Sequence, residues 1–131
     1  MKKTKLWNSH LSTVVSQMGH TQTLTIGDGG LPVPAGVPRI DLAVTAGIPR
    51  FLDVLDAVLS ELQVEKIVLA EEIRDQNPAM HTEILKRFPG IPVEYVPHET
   101  FKERTGHSCA VVRTGENTAY ANIILQSGVV F

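Results

Sequence analysis

One short segment in the middle of the chain decides the fold: Glu65-Lys66-Ile67-Val68-Leu69-Ala70, which ends in a run of four apolar residues. An apolar run that does not alternate with polar residues is typical of a strand buried on both faces. A helical pattern lies on each side of this run. Strand and helix alternating in this way indicate an α/β fold with a substantially parallel sheet.

The two helices that flank this strand carry clear signals. The first is predicted from Pro49 to about Leu62, with a wide apolar stripe along one face. The second begins at Asn77-Pro78, where asparagine caps the helix and proline occupies its first position, and it runs to about Phe88.

The remaining elements follow from periodicity and from turn residues. Helices are predicted over residues 8–18 and 98–104, and strands over residues 23–26, 39–44, 93–96, 109–114 and 123–125. Three prolines exclude a helix over residues 31–38. The last two strands need no helix between them, so the expected sheet is mostly parallel or mixed, flanked by helices in one domain spanning residues 1–131.

Composition narrows the classes of function. The chain has 131 residues, a formal net charge of −2 and 43% hydrophobic residues, which is ordinary for a globular protein. A slightly acidic balance gives no electrostatic reason to bind nucleic acid. The basic start of the chain is followed by no apolar segment of signal-peptide or membrane-spanning length, so we expect a soluble, cytoplasmic protein without membrane insertion. The single cysteine, Cys109, excludes an internal disulfide framework.

Polar residues capable of chemistry fall in loops and at the ends of elements, where α/β proteins place their sites. His20 follows a helix-terminating glycine, and Asp28 follows the first clear strand within Gly27-Asp28-Gly29-Gly30. Glycine lets the backbone approach a small ligand closely, although Asp-Gly is also ordinary turn chemistry. Neither a Walker motif nor a dinucleotide fingerprint is present.

Two further segments are candidates for binding a polar ligand. His98 stands at a strand-to-helix junction, where it could equally be a cap or a surface residue. Residues 113–122 lie between two apolar strands in a loop longer than a tight hairpin needs, and Tyr120 and Asn122 could supply a hydroxyl and an amide. The alternative is an ordinary connection built from turn formers.

Other side chains rank lower as functional candidates. We expect His81 and His107 to be solvated and Cys109 to be a small buried hydrophobe. His10 remains ambiguous, and Glu71-Glu72 could be either a site or a helix start. The histidines lack tight metal-ligand spacing, so no metal site is predicted.

Several separated motifs occur in a set order: Asn8-Ser9-His10-Leu11, Gly19-His20-Thr21, Asp28-x-Gly30-Leu31-Pro32-Val33-Pro34, Arg113-Thr114-Gly115-Glu116 and Tyr120-Ala121-Asn122. Together they resemble the D-ribose pyranase family, to which L-fucose mutarotase is related. The similarity covers essentially the whole chain. One departure is Gly29, where the family usually carries alanine.

The resemblance implies a cofactor-independent enzyme that interconverts the pyranose and furanose forms of D-ribose. By position, His20 matches the family's catalytic acid, and Asp28, His98, Tyr120, Ala121 and Asn122 match its sugar-contacting residues. It also implies a homodecamer with sites at subunit boundaries. A non-catalytic sugar-binding or transport-associated module is the alternative, and a nucleotide-binding regulatory domain is disfavoured by the missing phosphate-binding loop.

Overall fold

The computed structural model covers Met1–Phe131 and contains five α-helices and six strands. The helices are α1 Ser9–Gln17, α2 Phe51–Leu59, α3 Ile73–Gln76, α4 Pro78–Lys86 and α5 His98–Arg104. The strands are β1 Thr23–Gly27, β2 Arg39–Asp41, β3 Val64–Ala70, β4 Val93–Val96, β5 Val111–Arg113 and β6 Ile123–Ser127. This arrangement confirms the predicted α/β class.

All six strands join one sheet in the order β2-β5-β1-β6-β3-β4. Strand β6 is antiparallel to both of its neighbours, β1 and β3, and every other pairing is parallel. The sheet is therefore mixed, with five strands in one direction and one reversed strand near the centre.

The central strands are buried on both faces, as the apolar run predicted. Successive residues of β3 alternate between two apolar clusters, with Ile67 and Leu69 in the larger cluster and Val68 in the smaller. Helix α2 covers the larger cluster with its apolar stripe, and α5 covers the smaller one with the fully buried Phe101. Truncating a buried Ile67 or Leu69 to alanine costs about 2–5 kcal/mol of unfolding free energy at sites of this kind.

Several predicted boundaries were too long. The strand predicted to Val44 ends at Asp41, because the Asp41 carboxylate accepts a hydrogen bond from the Ala43 N–H at 3.0 Å and the chain then turns. The helix predicted from Pro49 to Leu62 spans Phe51–Leu59 and closes with Ser60 as its C-cap. The strand predicted over residues 109–114 is confined to Val111–Arg113.

The region before α4 contains an element that the sequence left undecided. Glu72 precedes the one-turn helix α3, so Glu71-Glu72 is the approach to a helix. Asn77 then ends α3 and caps α4, its side-chain oxygen accepting from the Met80 N–H at 3.4 Å. The predicted Asn77-Pro78 start of α4 is confirmed.

Candidate functional site

Most of the predicted site residues gather at one edge of the sheet. Asp28 follows β1 and His98 follows β4, so both lie beyond the carboxyl ends of parallel strands. Strand β6 runs in the opposite direction, and the segment Tyr120–Asn122 that leads into it reaches the same edge. Open α/β sheets bind their ligands at this carboxyl edge.

Asp28 and Asn122 form the firmest contact of this cluster. The Asp28 N–H donates to Asn122 Oδ1 at 2.8 Å, and Asn122 Nδ2 donates to Asp28 Oδ2 at 3.0 Å. The second carboxylate oxygen, Oδ1, accepts from the Gly30 N–H at 2.9 Å. The Asp28 side chain is thus fixed in one orientation.

The contact between Asp28 and Asn122 requires glycine at position 27, because any side chain there would collide with its neighbours. A Cβ on Gly27 would collide with the Leu31 side chain and lie 2.9 Å from Asn122 Oδ1. At Gly29 a Cβ would lie 3.4 Å from the Glu116 carbonyl oxygen, which is ordinary van der Waals contact. The alanine that the family usually carries at position 29 would therefore fit here without displacing its neighbours.

Tyr120 and His98 form the outer part of the cluster. Their rings meet edge to face with centroids 5.1 Å apart, and Tyr120 has a left-handed backbone with φ of 56°. Both residues are half-buried. Within the segment Tyr120–Asn122, Ala121 is fully buried and Asn122 is 1% exposed, so Tyr120 is the residue that lies at the surface.

His98 is held by its backbone. Its N–H donates to both carboxylate oxygens of Glu72, at 3.0 and 3.1 Å, and its ring stacks on Phe101 with centroids 6.2 Å apart. Its Nδ1 is buried and has no hydrogen-bond partner in the protein. Glu72 therefore positions His98. The sequence alone had left Glu71-Glu72 open as either a site or a helix start.

The loop before Tyr120 is held in place by two residues that sequence reasoning did not assign to the site. Glu116, 8% exposed, accepts from the Phe51 N–H at 3.1 Å at the start of α2 and from the Thr118 hydroxyl at 2.9 Å. Asn77 Nδ2 donates to Thr118 Oγ1 at 3.0 Å and to the Ala119 carbonyl at 2.8 Å. The position of Tyr120 therefore depends on the N-termini of α2 and α4.

A cavity of about 670 Å³ adjoins this cluster. It is lined by Asp28, Gly29-Gly30, residues 43–46 and residues 113–119. Asp28 is its only predicted site residue, and the rings of His98 and Tyr120 lie outside its lining. Asp28 therefore lines the cavity and is also bonded, through Asn122, to the segment that carries Tyr120.

His20 is not part of this cluster. It precedes β1, whereas Asp28 follows it, and the four steps along the strand between them span about 13 Å. The His20 side chain is 52% exposed, and its Nε2 lies 2.8 Å from Glu65 Oε2. The next residue, Thr21, has a left-handed backbone with φ of 70° and donates its N–H to the Ser127 carbonyl at 2.9 Å.

Two lower-ranked expectations need correction. His81 is half-buried and not solvated: its Nε2 lies 2.7 Å from the Tyr95 hydroxyl, and burial, followed by the charge of Arg74, lowers the pKa of His81. Cys109 is only partly buried, and it lies two residues before its strand begins. His107 is exposed as expected.

These observations define a small α/β protein with a site of neutral and anionic hydrogen-bonding groups. A carboxylate, a phenol hydroxyl and an imidazole beside an aromatic face suit a small ligand rich in hydroxyl groups. His20, at the opposite edge of the sheet, supplies a second imidazole, and this one is exposed.

The chain belongs to the RbsD / FucU transport protein family, whose model matches residues 1–130. It is 55% identical over 131 residues to D-ribose pyranase of Geobacillus kaustophilus, covering 100% of this chain and 96% of that protein. The structure of Bacillus subtilis RbsD complexed with D-ribose is similar with a TM-score of 0.97, 44% identity and full coverage of both chains. The fold is shared with the fucose mutarotase of Streptococcus pneumoniae in complex with L-fucose, at a TM-score of 0.78, 23% identity and full coverage of both chains.

None of the five helices combines the length and the apolar character that a membrane-spanning helix requires.

Proposed function

We propose that this protein is a D-ribose pyranase, an enzyme that interconverts the pyranose and furanose forms of D-ribose by opening and reclosing the ring. The observation that carries the proposal is whole-length identity above half with proteins of that name, together with a ribose-bound structure of nearly identical fold. The hydroxyl-binding character of the carboxyl-edge cluster agrees with a monosaccharide ligand.

The chemistry suits the residues. Ring opening requires a proton on the ring oxygen and the loss of one from the anomeric hydroxyl, which gives the open-chain aldehyde. Closure through a different hydroxyl then gives the other ring size. No redox step is involved, and a positioned acid or base contributes about 10²–10⁴-fold.

In this proposal His20 protonates the ring oxygen. Asp28, His98 and Tyr120 hold sugar hydroxyls, and Asn122 acts on the sugar chiefly by holding Asp28. Ala121 belongs to the same segment and sets the spacing between Tyr120 and Asn122. Imidazole changes its charge near neutral pH, so it can donate and accept under physiological conditions.

The placement of His20 supports a site shared between two subunits. Its exposed ring lies about a strand length away from Asp28, too far for both to reach one ribose within a single chain. If the amino edge of one subunit meets the carboxyl edge of another, the two halves join. This arrangement fits the homodecamer that the family resemblance implies. The cytoplasmic location expected from the sequence remains a prediction.

The test is saturation-transfer NMR on equilibrated D-ribose, which follows exchange between the pyranose and furanose anomeric signals. We expect wild-type protein to accelerate exchange and His20→Ala to abolish the acceleration. His107→Ala, which removes an exposed histidine outside the site, is the matched control.

The possible results distinguish an enzyme that uses His20, an enzyme that uses another acid, and a sugar-binding module. Acceleration by wild type that persists in His20→Ala keeps the enzyme and removes His20 as the acid. Ribose binding without acceleration by wild type overturns the enzyme and leaves a sugar-binding module, the role that the family's transport description favours.

A further inference from the structure

We propose that Glu65 is a positioning residue for His20: it holds the imidazole through Nε2, and so makes Nδ1 the nitrogen that passes the proton to the sugar. This inference rests on the proposed function, in which His20 is the proton donor. It assigns a role to a side chain outside the carboxyl-edge cluster and identifies the reacting atom of the histidine.

The geometry comes from three neighbouring segments of the sheet. His20 precedes β1, Glu65 lies on β3, and Gln126 lies on β6 between those two strands. Glu65 Oε2 lies 2.8 Å from His20 Nε2, and Glu65 Oε1 accepts from Gln126 Nε2 at 2.7 Å. Each carboxylate oxygen therefore has one partner.

Gln126 distinguishes this contact from an ordinary surface ion pair. A lone exposed pair contributes little, because two flexible side chains must be ordered to form it. Here the carboxylate is already fixed by an amide on the adjacent strand, and the Glu65 side chain is 35% exposed against 52% for His20. The exposed ring therefore meets a partner that is held in place.

The protonation states follow from these contacts. The hydrogen bond from Gln126, followed by that from His20, lowers the pKa of Glu65, so its carboxylate is ionised at neutral pH. An ionised carboxylate only accepts hydrogen bonds, so His20 Nε2 must carry the hydrogen. Nδ1 is the remaining nitrogen, and it can take up or give away a proton without breaking the bond to Glu65.

The proton balance of the opening step is simple. The proton on Nδ1 moves to the ring oxygen as the bond from that oxygen to the anomeric carbon breaks. The anomeric hydroxyl loses its proton to water, and its electron pair completes the aldehyde C=O. Reclosure reverses these transfers, and Glu65 remains ionised throughout.

Two substitutions separate orientation from charge. Glu65→Ala removes the partner of Nε2. Glu65→Gln can keep the geometry, because its oxygen can accept from Nε2 while its NH2 donates to the oxygen of a rotated Gln126 amide. A misplaced catalytic group can cost about 10²-fold, so we expect Glu65→Ala to lose about 10- to 100-fold in kcat with KM little changed, and Glu65→Gln to retain most of the activity.

The spectroscopic readout is the ¹⁵N NMR signals of the His20 ring at a pH where the ring is neutral. We expect a protonated Nε2 and an unprotonated Nδ1 in wild type and in Glu65→Gln. In Glu65→Ala the two signals should move toward the averaged values of free histidine. A purely structural role for Glu65 would leave these signals unchanged.

Glu94→Gln is the matched control. Glu94 lies on β4 next to β3, its side chain is 32% exposed, and it pairs with Lys66 and Arg104. Its loss should lower thermal stability without altering exchange kinetics or the His20 signals. If Glu65→Ala does not fold, Gln126→Ala tests the same arrangement and should reduce kcat by a smaller factor.

The results distinguish failure of this inference from failure of the function. Full activity of folded Glu65→Ala with loss in His20→Ala overturns the role of Glu65 alone, as does a wild-type spectrum with hydrogen on Nδ1. Absence of acceleration by wild type overturns the proposed function itself, whatever the ring signals show.

Discussion

Asn122 holds both the backbone and the side chain of Asp28: its amide oxygen accepts from the Asp28 N–H, and its amide nitrogen donates to the Asp28 carboxylate. The two residues are 94 positions apart in the chain, yet they form the most closely fixed pair of the carboxyl edge. Asn122 is almost completely buried, so we expect it to act on a ligand through the Asp28 carboxylate that it holds.

We therefore expect Asn122→Ala to weaken both the fold and ribose binding. The substitution leaves the Asp28 N–H without its partner, which costs about 1–3 kcal/mol of unfolding free energy at a buried position. It also frees the Asp28 side chain to rotate. Chemical denaturation and ribose titration measure the two effects, and Asn117→Ala, in the exposed part of the same loop, serves as the control. Unchanged ribose affinity in folded Asn122→Ala would contradict this role.

The separation of His20 from Asp28 predicts complementation between inactive variants. If one subunit supplies His20 and another supplies Asp28, His20→Ala and Asp28→Ala subunits that are unfolded and refolded together will form some intact sites. Random mixing at equal amounts gives about a quarter of sites with both groups. Exchange activity should return to about that fraction of wild type. No recovery in mixed oligomers would place both groups in one subunit.

The glycines on either side of Asp28 should respond oppositely to alanine. Gly27→Ala forces a methyl group against Leu31 and Asn122, so we expect it to cost about 1–3 kcal/mol, as overpacking does, and to reduce activity by displacing Asn122. Gly29→Ala meets only ordinary contacts, and its φ is not in the left-handed region. It should stabilise by about 0.4–1 kcal/mol through the unfolded chain. Thermal melts of the two variants measure the opposite changes in stability, and ribose exchange rates measure the change in activity.

His81 should make stability depend on pH. Burial lowers its folded-state pKa below the unfolded value of 6.5, so the unfolded chain binds more protons in the range between the two values. Stability is therefore expected to fall as the pH drops below about 6.5. His81→Gln should flatten that part of the profile measured by denaturant unfolding, whereas the exposed His107→Gln should not. If stability still falls with pH to the same extent in His81→Gln, burial of the His81 ring is not the cause of the pH dependence.

Sequence reasoning succeeded where the signal was local. The apolar run within residues 65–70 identified a strand buried on both faces, and Asn77-Pro78 identified the start of a helix. Such signals depend on residues within one or two turns of each other. Strand order has no comparable local record, and the insertion of β6 between β1 and β3 is visible only in the structure.

The same distinction holds for the site. The motifs at Asp28, His98 and Tyr120 were recognisable as loop residues, but their convergence at one edge depends on the reversed direction of β6. Glu72 and Glu116 were not assigned roles, because their partners, the N–H groups of His98 and Phe51, are 26 and 65 residues away. Glu65 lay in a strand taken for core. The contact between its carboxylate and His20 depends on how the strands are arranged in the sheet, which the sequence does not reveal.

The position of β6 also bears on how the protein is made. This strand follows the other five in the sequence, and it alone joins the β2-β5-β1 half of the sheet to the β3-β4 half. Until it is synthesised, β1 and β3 each present an unpaired edge, a ready template for pairing with another chain. A chain truncated before β6 would lack both the strand and the partner of Thr21 at Ser127. During synthesis, the two halves of the sheet therefore cannot join until β6 has been made.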